Sequence, residues 1–469
     1  MKKHVVWIFP ALILYMGCKS FEPNPDNLLL FNLPSNFSLQ LGKTKDEINY
    51  IQQEKWWFYF DSKELNSLIE KALKDNFDIK ILKARIKQAK AQTQQAKALF
   101  FPNLGFSFSG FKQRKQSKNY NEDIVRNTSN SWDTGLTGSY NPDVFGRTKA
   151  SAQTNLLKHK AAEFNLQTLI YNLIDEIVKT WIDIVAVQNK IKILKKQIKA
   201  NRTLLKLQKL RFVNGKANAL DVSEQKEALS RTKSFMPLLI KQRKLLLNSL
   251  GFLTGSTDIV HIKISKDKMP NFLPFLDTGL PMQLLENRSD IKAAQARLLS
   301  SQWEVTIAKT DLLPSFEIST KALFSNGSLN LLFQNWITSL GASINATIFD
   351  AGLKKSKENK IKAYVNELLN FYAKTVAKAI FEVENNLINL QEQKTYIDLL
   401  KQELQTSKLR LENAQIQYLN GKTNYLSYIL ALTNIENLER QLIEQKAVYI
   451  KYQINLYRTL GIQSFKKQE

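Results

Sequence analysis

Cysteine occurs once in the 469 residues, at Cys18, so neither a disulfide framework nor a Cys-based zinc site can form within one chain. Histidine occurs three times, at His4, His159 and His261, too few and too dispersed for a His-rich metal centre or a histidine-based triad. Glycine-rich phosphate loops of the GxGxxG or GxxxxGKS kind are absent. The 16 glycines and 11 prolines are spread thinly, which excludes collagen-like and linker-rich architectures. No stretch after the N-terminal run has 18 consecutive apolar residues, so no transmembrane helix is expected there. Paired carboxylates such as Glu382 and Glu384 stand two apart on a helical run and belong to different faces. The chain is therefore expected to have no catalytic residue, no cofactor and no metal site.

What remains is ample for a core: 43% of residues are hydrophobic and 10% aromatic, well above the composition of a disordered chain. Lys and Arg number 67 against 42 Asp and Glu, a net charge of +25. That excess has two readings: solvated lysine-rich faces of long helices, or an anion-preferring tunnel or acidic partner surface. A charge this high could also bind nucleic acid, but no recognised nucleic-acid module is present.

The N-terminus reads as an address. Met1-Lys2-Lys3-His4 is basic, and Val5 to Met16 is an apolar run of signal-peptide length, too short to span a bilayer. Gly17-Cys18 follows, as in a lipobox, where the cysteine is lipidated and becomes the first mature residue. Tyr15 stands where leucine is usual in that motif. The expected division is a signal peptide over 1–17 and a lipidated extended segment over 18–61. Two repeats over 62–280 and 281–461 and a C-terminal tail over 462–469 follow.

Helical periodicity dominates the rest. Ser62 to Leu99 carries apolar residues at helical spacing up to Pro102. Thr148 to Phe212 is proline-free and long enough for a rod of about 100 Å at 1.5 Å per residue. Asn214-Gly215 breaks it, and helix resumes from Leu220 to Leu250. The second half repeats the plan: helix from Leu284 to Leu313, a rod from Lys354 to Leu419, a break at Asn420-Gly421, and helix from Tyr425 to Leu460. Asp78-Ile79 matches Asp290-Ile291, Pro102 matches Pro314, Trp132 matches Trp336, and Val213-Asn214-Gly215-Lys216 matches Leu419-Asn420-Gly421-Lys422. This is a tandem duplication of about 200 residues.

Between the helices of each half lie two strand-like pieces, at Leu104–Ser109, Trp132–Asn141, Ser315–Phe324 and Trp336–Asn345, alternating apolar with small polar residues. That alternation fits membrane β-strands, with Trp132, Tyr140, Phe324 and Trp336 placed for an aromatic girdle. Soluble hairpins packed on helices would alternate too. If the strands cross a membrane, four cannot close a barrel and open edges are not tolerated in lipid, so chains must assemble.

The order of these features resembles the outer-membrane efflux proteins of the TolC type, in particular the lipid-anchored NodT-like branch. The residues that carry the resemblance are Trp56-Trp57, Asn76-Phe77-Asp78-Ile79, Asp143-Val144-Phe145-Gly146-Arg147, Leu280-Pro281, Arg288-Ser289-Asp290-Ile291 and Ile348-Phe349-Asp350-Ala351-Gly352. Phe77 and Ser289 depart from the family's prolines. The resemblance implies a mainly α fold with a membrane β-barrel portion, in which long α-helical barrel rods join four strands per chain. A homotrimer would close a 12-stranded barrel in outer-membrane lipid. A tunnel across the periplasm would meet a periplasmic adaptor and an inner-membrane RND-type pump.

On this resemblance the adaptor-contact tips are Arg211, Val213, Asn214, Gly215, Lys216 and Asp221, with Asn420, Gly421, Lys422 and Thr423 in the second copy. The periplasmic gate follows at Asn424, Leu426 and Leu430, a hydrophobic constriction because leucine stands at 430 where relatives often carry an acid. The expected function is the outer-membrane channel of a tripartite efflux system for drugs or other small solutes. The alternatives are a lipid-anchored helical adaptor or scaffold, and the channel of a protein secretion system. Met236, Met269 and Met282 offer no methionine route for soft metal ions.

Overall fold

In the computed structural model, residues 30–39, 55–118, 120, 124–256, 264–265, 268–273 and 281–461 are described. Cys18 and the signal-peptide reading lie outside the described residues. The elements are α1 (Lys63–Asp75), α2 (Phe77–Ala98), β1 (Asn103–Lys118), β2 (Ile124–Tyr140), α3 (Arg147–Val213) and α4 (Ala219–Leu253). The second half supplies α5 (Gln283–Asn287), α6 (Ser289–Thr310), β3 (Ser315–Asn326), β4 (Trp336–Asn345), α7 (Leu353–Leu419) and α8 (Tyr425–Thr459). Short 3-10 turns lie at Trp56–Phe60 and Leu329–Gln334. No helix among the described residues is long and apolar enough to cross a membrane.

The chain forms two compact units, each drawing on both halves of the sequence. One centres on Arg85–Glu163 and Ala293–Ala373; the other comprises Phe31–Ala84, Phe164–Lys292 and Lys374–Glu469.

The first unit holds the sheet. Its four strands are antiparallel in the order β1-β2-β3-β4, so β1 and β4 are edges. Register decides the faces. Phe106 opposes Leu136, Leu136 opposes Ala322, and Ala322 opposes Thr338. Because side chains alternate with period two, one face collects Leu104, Phe106, Phe108, Leu136, Ile318, Leu340 and Ile344. The other collects Ser107, Gly135, Thr137, Ser319, Ser339, Gly341 and Ser343, together with Glu317, Lys321, Leu323 and Ile337. The apolar face is uncovered: Leu340 is 80% exposed, Leu104 75% and Phe106 73%. The first hairpin is longer than its alternation suggests, at 16 and 17 residues, because β1 and β2 continue past Gly110 and Trp132 into polar sequence that pairs by backbone alone.

In the same unit each strand pair hands over to its long helix through an aspartate. Asp143 accepts from the backbone N–H groups of Thr148 and Lys149, both at 2.8 Å. Asp350 accepts from those of Gly352 at 3.0 Å and Lys354 at 3.1 Å. Both satisfy donors that a helix start leaves open. Asp311 takes an ion pair from Arg147 at 2.8 Å and one from Lys357 at 2.6 Å, tying the starts of α3 and α7 to the end of α6.

The second unit holds the main core. Residues 173–187 of α3 are buried nearly all round, with Ile174, Ile177, Val178, Trp181, Ile182, Ile184 and Val185 at 1% exposure or less. A helix segment buried on nearly every side is an enclosed one. Trp56, Trp57 and Phe60 are buried against it: Phe60 lies 5.9 Å from Trp181 and Trp56 lies 5.6 Å from Tyr457, ring centre to ring centre.

The helical run from Ser62 is two helices, not one. Asn76 ends α1 and caps α2, its Oδ1 accepting from Ile79 N at 3.1 Å, while its Nδ2 donates to the Leu253 carbonyl at 2.9 Å. The run from Leu284 breaks likewise at Arg288, whose Nη1 donates to the Thr459 carbonyl at 3.1 Å. The duplication therefore repeats at the level of single contacts: in each half, the break residue holds the C-terminal carbonyls of that half's second long helix. Arg288 also bonds Glu382 at 2.9 Å, whereas Glu384 accepts from Ser38 N at 2.8 Å, so the two carboxylates do serve different faces.

Candidate functional site: the two helix turns and the buried polar column behind them

The turns α3–α4 and α7–α8 share one geometry. Lys216 N donates to the Arg211 carbonyl at 2.7 Å and Gly215 N to that of Phe212 at 3.0 Å. Lys422 N donates to Gln417 at 2.8 Å and Gly421 N to Tyr418 at 3.1 Å. This double closure is a Schellman end, which needs a left-handed residue just past the helix. Gly215 (φ 68°) and Gly421 (φ 70°) supply it. Each following helix is capped by asparagine. Asn218 and Asp221 exchange side-chain and backbone hydrogen bonds in a capping box, and the Asn424 side chain accepts from Ser427 N at 3.2 Å.

The predicted tip residues thus gather at two turns. Asp221 is spent on the cap. Arg211 lies over the Tyr418 ring at 4.9 Å and donates to the Lys216 carbonyl at 3.3 Å. Val213 is 81% exposed. Thr423 donates to Ser427 Oγ at 3.2 Å, bracing the second cap. Leu426 and Leu430 stand one turn apart on the open side of α8, both exposed, while Tyr425, Tyr428 and Ile429 face inward.

Sequence reasoning missed what lies behind the second turn. Gln197, Asn201 and Gln208 of α3, Gln225 and Thr232 of α4, and Glu436 of α8 are all buried. Asn201 Nδ2 donates to Glu436 Oε1 at 2.6 Å and Thr232 Oγ1 to Glu436 Oε2 at 3.3 Å. Gln225 Nε2 donates to Asn201 Oδ1 at 3.0 Å, and Gln225 Oε1 accepts from the Tyr425 hydroxyl at 2.6 Å. The Tyr418 hydroxyl donates to Gln208 Oε1 at 3.1 Å. Gln197 receives Arg440 and donates to the Glu436 carbonyl at 3.2 Å. The signal was present as uncharged polar residues at spacings of four and seven along a lysine-rich stretch of α3, a pattern that periodicity of apolar residues does not score.

Burial sets the electrostatics of this column. It pushes the Glu436 carboxyl above the usual range against the pull of Asn201 and Arg440. It also raises the Tyr425 and Tyr428 hydroxyls and lowers the Arg440 guanidinium. No group of three or more potential metal ligands occurs among the described residues. The column can therefore hold helices in register, and the turns can present backbone and short side chains to a partner.

The barrel aromatics divide. Trp132 opposes Asn326, and Phe324 opposes Trp336, so three of the four lie at one level of the sheet. Tyr140 opposes Ile318 at the other end. Eight residues, about 27 Å of strand at ~3.4 Å each, separate Trp132 from Tyr140.

Comparison with known proteins gives a consistent relationship. The pyoverdine export outer membrane protein OpmQ of Pseudomonas aeruginosa is 24% identical over 459 residues, covering 97% of this chain and 96% of the relative. Nodulation protein T of Rhizobium leguminosarum bv. trifolii is 23% identical over 434 residues, with 92% and 91% covered. The solved outer-membrane channel CmeC of Campylobacter jejuni superposes with a TM-score of 0.85 at 22% identity, covering 96% of each chain. The "Outer membrane efflux protein" family pattern matches residues 68–256 and 280–462, one match to each half of the duplication, and the chain belongs to that family.

Proposed function

We propose that the protein is the outer-membrane channel of a tripartite efflux system, in which three copies close one barrel and one helical tunnel. The observation that carries this reading is the sheet. It has four strands, two unpaired edges, and one face of exposed Leu, Phe and Ile opposite a face mostly of Ser, Thr, Gly and Asn. In water that face is a liability, and in lipid an unpaired edge is one. Pairing β4 of each copy with β1 of the next removes both, leaving the apolar face to lipid and the small polar face to a water-filled lumen. The exposed Leu426 and Leu430 would then line a hydrophobic constriction, and the two turns would meet a periplasmic adaptor working with an inner-membrane pump. Lipidation at Cys18 would add an anchor. Conduction requires no chemical step, so no catalytic residue is assigned.

The test is the mass of the detergent-extracted protein from outer-membrane fractions, by light scattering corrected for detergent. Three times the mass of the processed chain is expected, a little under three times the 54.0 kDa of the full sequence. A monomer recovered without detergent would sink the reading and favour a lipid-anchored helical adaptor. In planar bilayers, Leu426→Ala and Leu430→Ala channels should conduct more than the parent; unchanged conductance would remove the constriction from these residues.

A further inference from the structure

Four of the five lysines and arginines of the first hairpin share one face of the sheet; Lys115 alone lies on the other. Register fixes their side. Lys112 opposes Asn130, Arg114 opposes Thr128, Gln116 opposes Arg126 and Lys118 opposes Ile124. All lie an even number of residues from Phe108 on β1 or from Trp132 on β2, so they continue the apolar face. Arg126 Nε donates to Gln116 Oε1 at 3.1 Å, as a directly opposed pair on one face must. Lys112, Arg114, Lys118 and Arg126 are all exposed. The same face of β1 and β2 carries no carboxylate: its remaining members are Leu, Phe, Gly, Thr, Asn, Gln, Ile, Trp and Tyr. Asp133 lies on the opposite face, bonded by Ser131 at 3.0 Å. The second hairpin has no counterpart, since residues 322–349 contain no charge at all.

We propose that this stripe binds the phosphate groups of an anionic lipid that carries more than one phosphate on an extended polar head. The inference rests on the barrel reading, which turns this face toward lipid. Position along the strand selects the partner. Lys112 and Arg114 lie two and four residues beyond Gly110, the partner of Trp132, which is about 7 and 14 Å of strand. With the tilt of roughly 40° usual in such barrels, they sit about 5 and 10 Å above the aromatic level, within the headgroup zone. Arg126 and Lys118 rise about 15 and 20 Å above it by the same measure, beyond a single phosphate layer. A cationic stripe of that height matches phosphates spread through a deeper polar head, and no carboxylate stands among the paired residues of that face.

The experiment uses the full-length oligomer in detergent. Diphosphorylated lipid A still carrying its phosphorylated core sugars, phosphatidylglycerol or phosphatidylcholine is added, and lipids retained per chain are counted by native mass spectrometry. Lipid A should be held best and phosphatidylcholine least. The variant K112Q/R114Q/K118Q/R126Q should hold lipid A at least about tenfold more weakly. Lys115→Gln, on the lumen face of the same hairpin, should match the parent, which separates the stripe from net charge. Equal retention of lipid A by parent and quadruple variant would overturn the proposal, as would equal displacement of lipid A by inorganic phosphate and by chloride at equal ionic strength. If the three lipids bind equally to an intact oligomer, the stripe fails and the barrel stands. If the protein is a detergent-free monomer, the barrel reading falls and takes the stripe with it.

Discussion

Four residues show how the duplicated fold is stitched. Gly255 (φ 67°) and Gly461 (φ 68°) end the equivalent helices α4 and α8, each against the break between the first two helices of its half. A Cβ on Gly255 would stand 2.5 Å from the Asp75 carbonyl oxygen, and one on Gly461 would stand 3.0 Å from that of Asn287. Gly215 and Gly421 share the left-handed backbone but face open space. Alanine at either kind of site costs the left-handed penalty of about 1–2 kcal/mol; at Gly255 the carbonyl must move as well. Thermal unfolding followed by helical circular dichroism should rank parent above Gly215→Ala above Gly255→Ala. Equal losses would mean that the approach to Asp75 relaxes freely.

Among the elements, α3, α4 and α8 meet around one carboxylate. Glu436 is buried and its pKa is raised from the ordinary 4.5, burial being the largest cause. A raised native value means that the unfolded chain releases this proton first. The group leaves stability untouched below 4.5 and lowers it progressively as pH rises toward the native value, then by a constant amount. Glu436→Gln keeps an oxygen for Asn201 and lets the Thr232 hydroxyl turn to accept. We expect its melting midpoint at pH 7 to equal or exceed the parent's, with a flatter dependence between pH 4.5 and 7. A midpoint several degrees lower at both pH 5 and pH 7 would instead assign the carboxylate a hydrogen-bonding role that an amide cannot fill.

On the scale of the whole molecule, the sheet faces predict opposite responses to one substitution. Leu340 is 80% exposed in the single chain, where a lysine would ordinarily be harmless. Facing lipid near mid-membrane, the same lysine costs about 2–4 kcal/mol in each copy. Leu340→Lys should therefore deplete the oligomer in outer-membrane fractions, whereas Ser339→Lys, one residue along and facing the lumen, should leave its yield unchanged. Depletion by both substitutions, or by neither, would argue against a barrel closed in lipid.

The sequence alone determined the rods, their turns and the doubling. Sixty-seven residues without proline between Arg147 and Val213 have one regular conformation open to them, and Asn-Gly at the end of each rod marks where it must reverse. The four strands were equally legible, because period-two alternation survives in a single segment. Tertiary structure decided the rest. It split two apparent helices at Asn76 and Arg288, whose side chains reach carbonyls some 170 residues away. It carried β1 and β2 beyond their apolar stretch, since backbone pairing does not require apolar side chains. It assembled Gln197, Asn201, Gln225, Thr232 and Glu436, from three helices, into one buried column. It also put four cations of one hairpin on one face, through a register that no single strand contains. Local conformation depends on neighbours in sequence, whereas burial and pairing depend on partners that only the folded chain brings close.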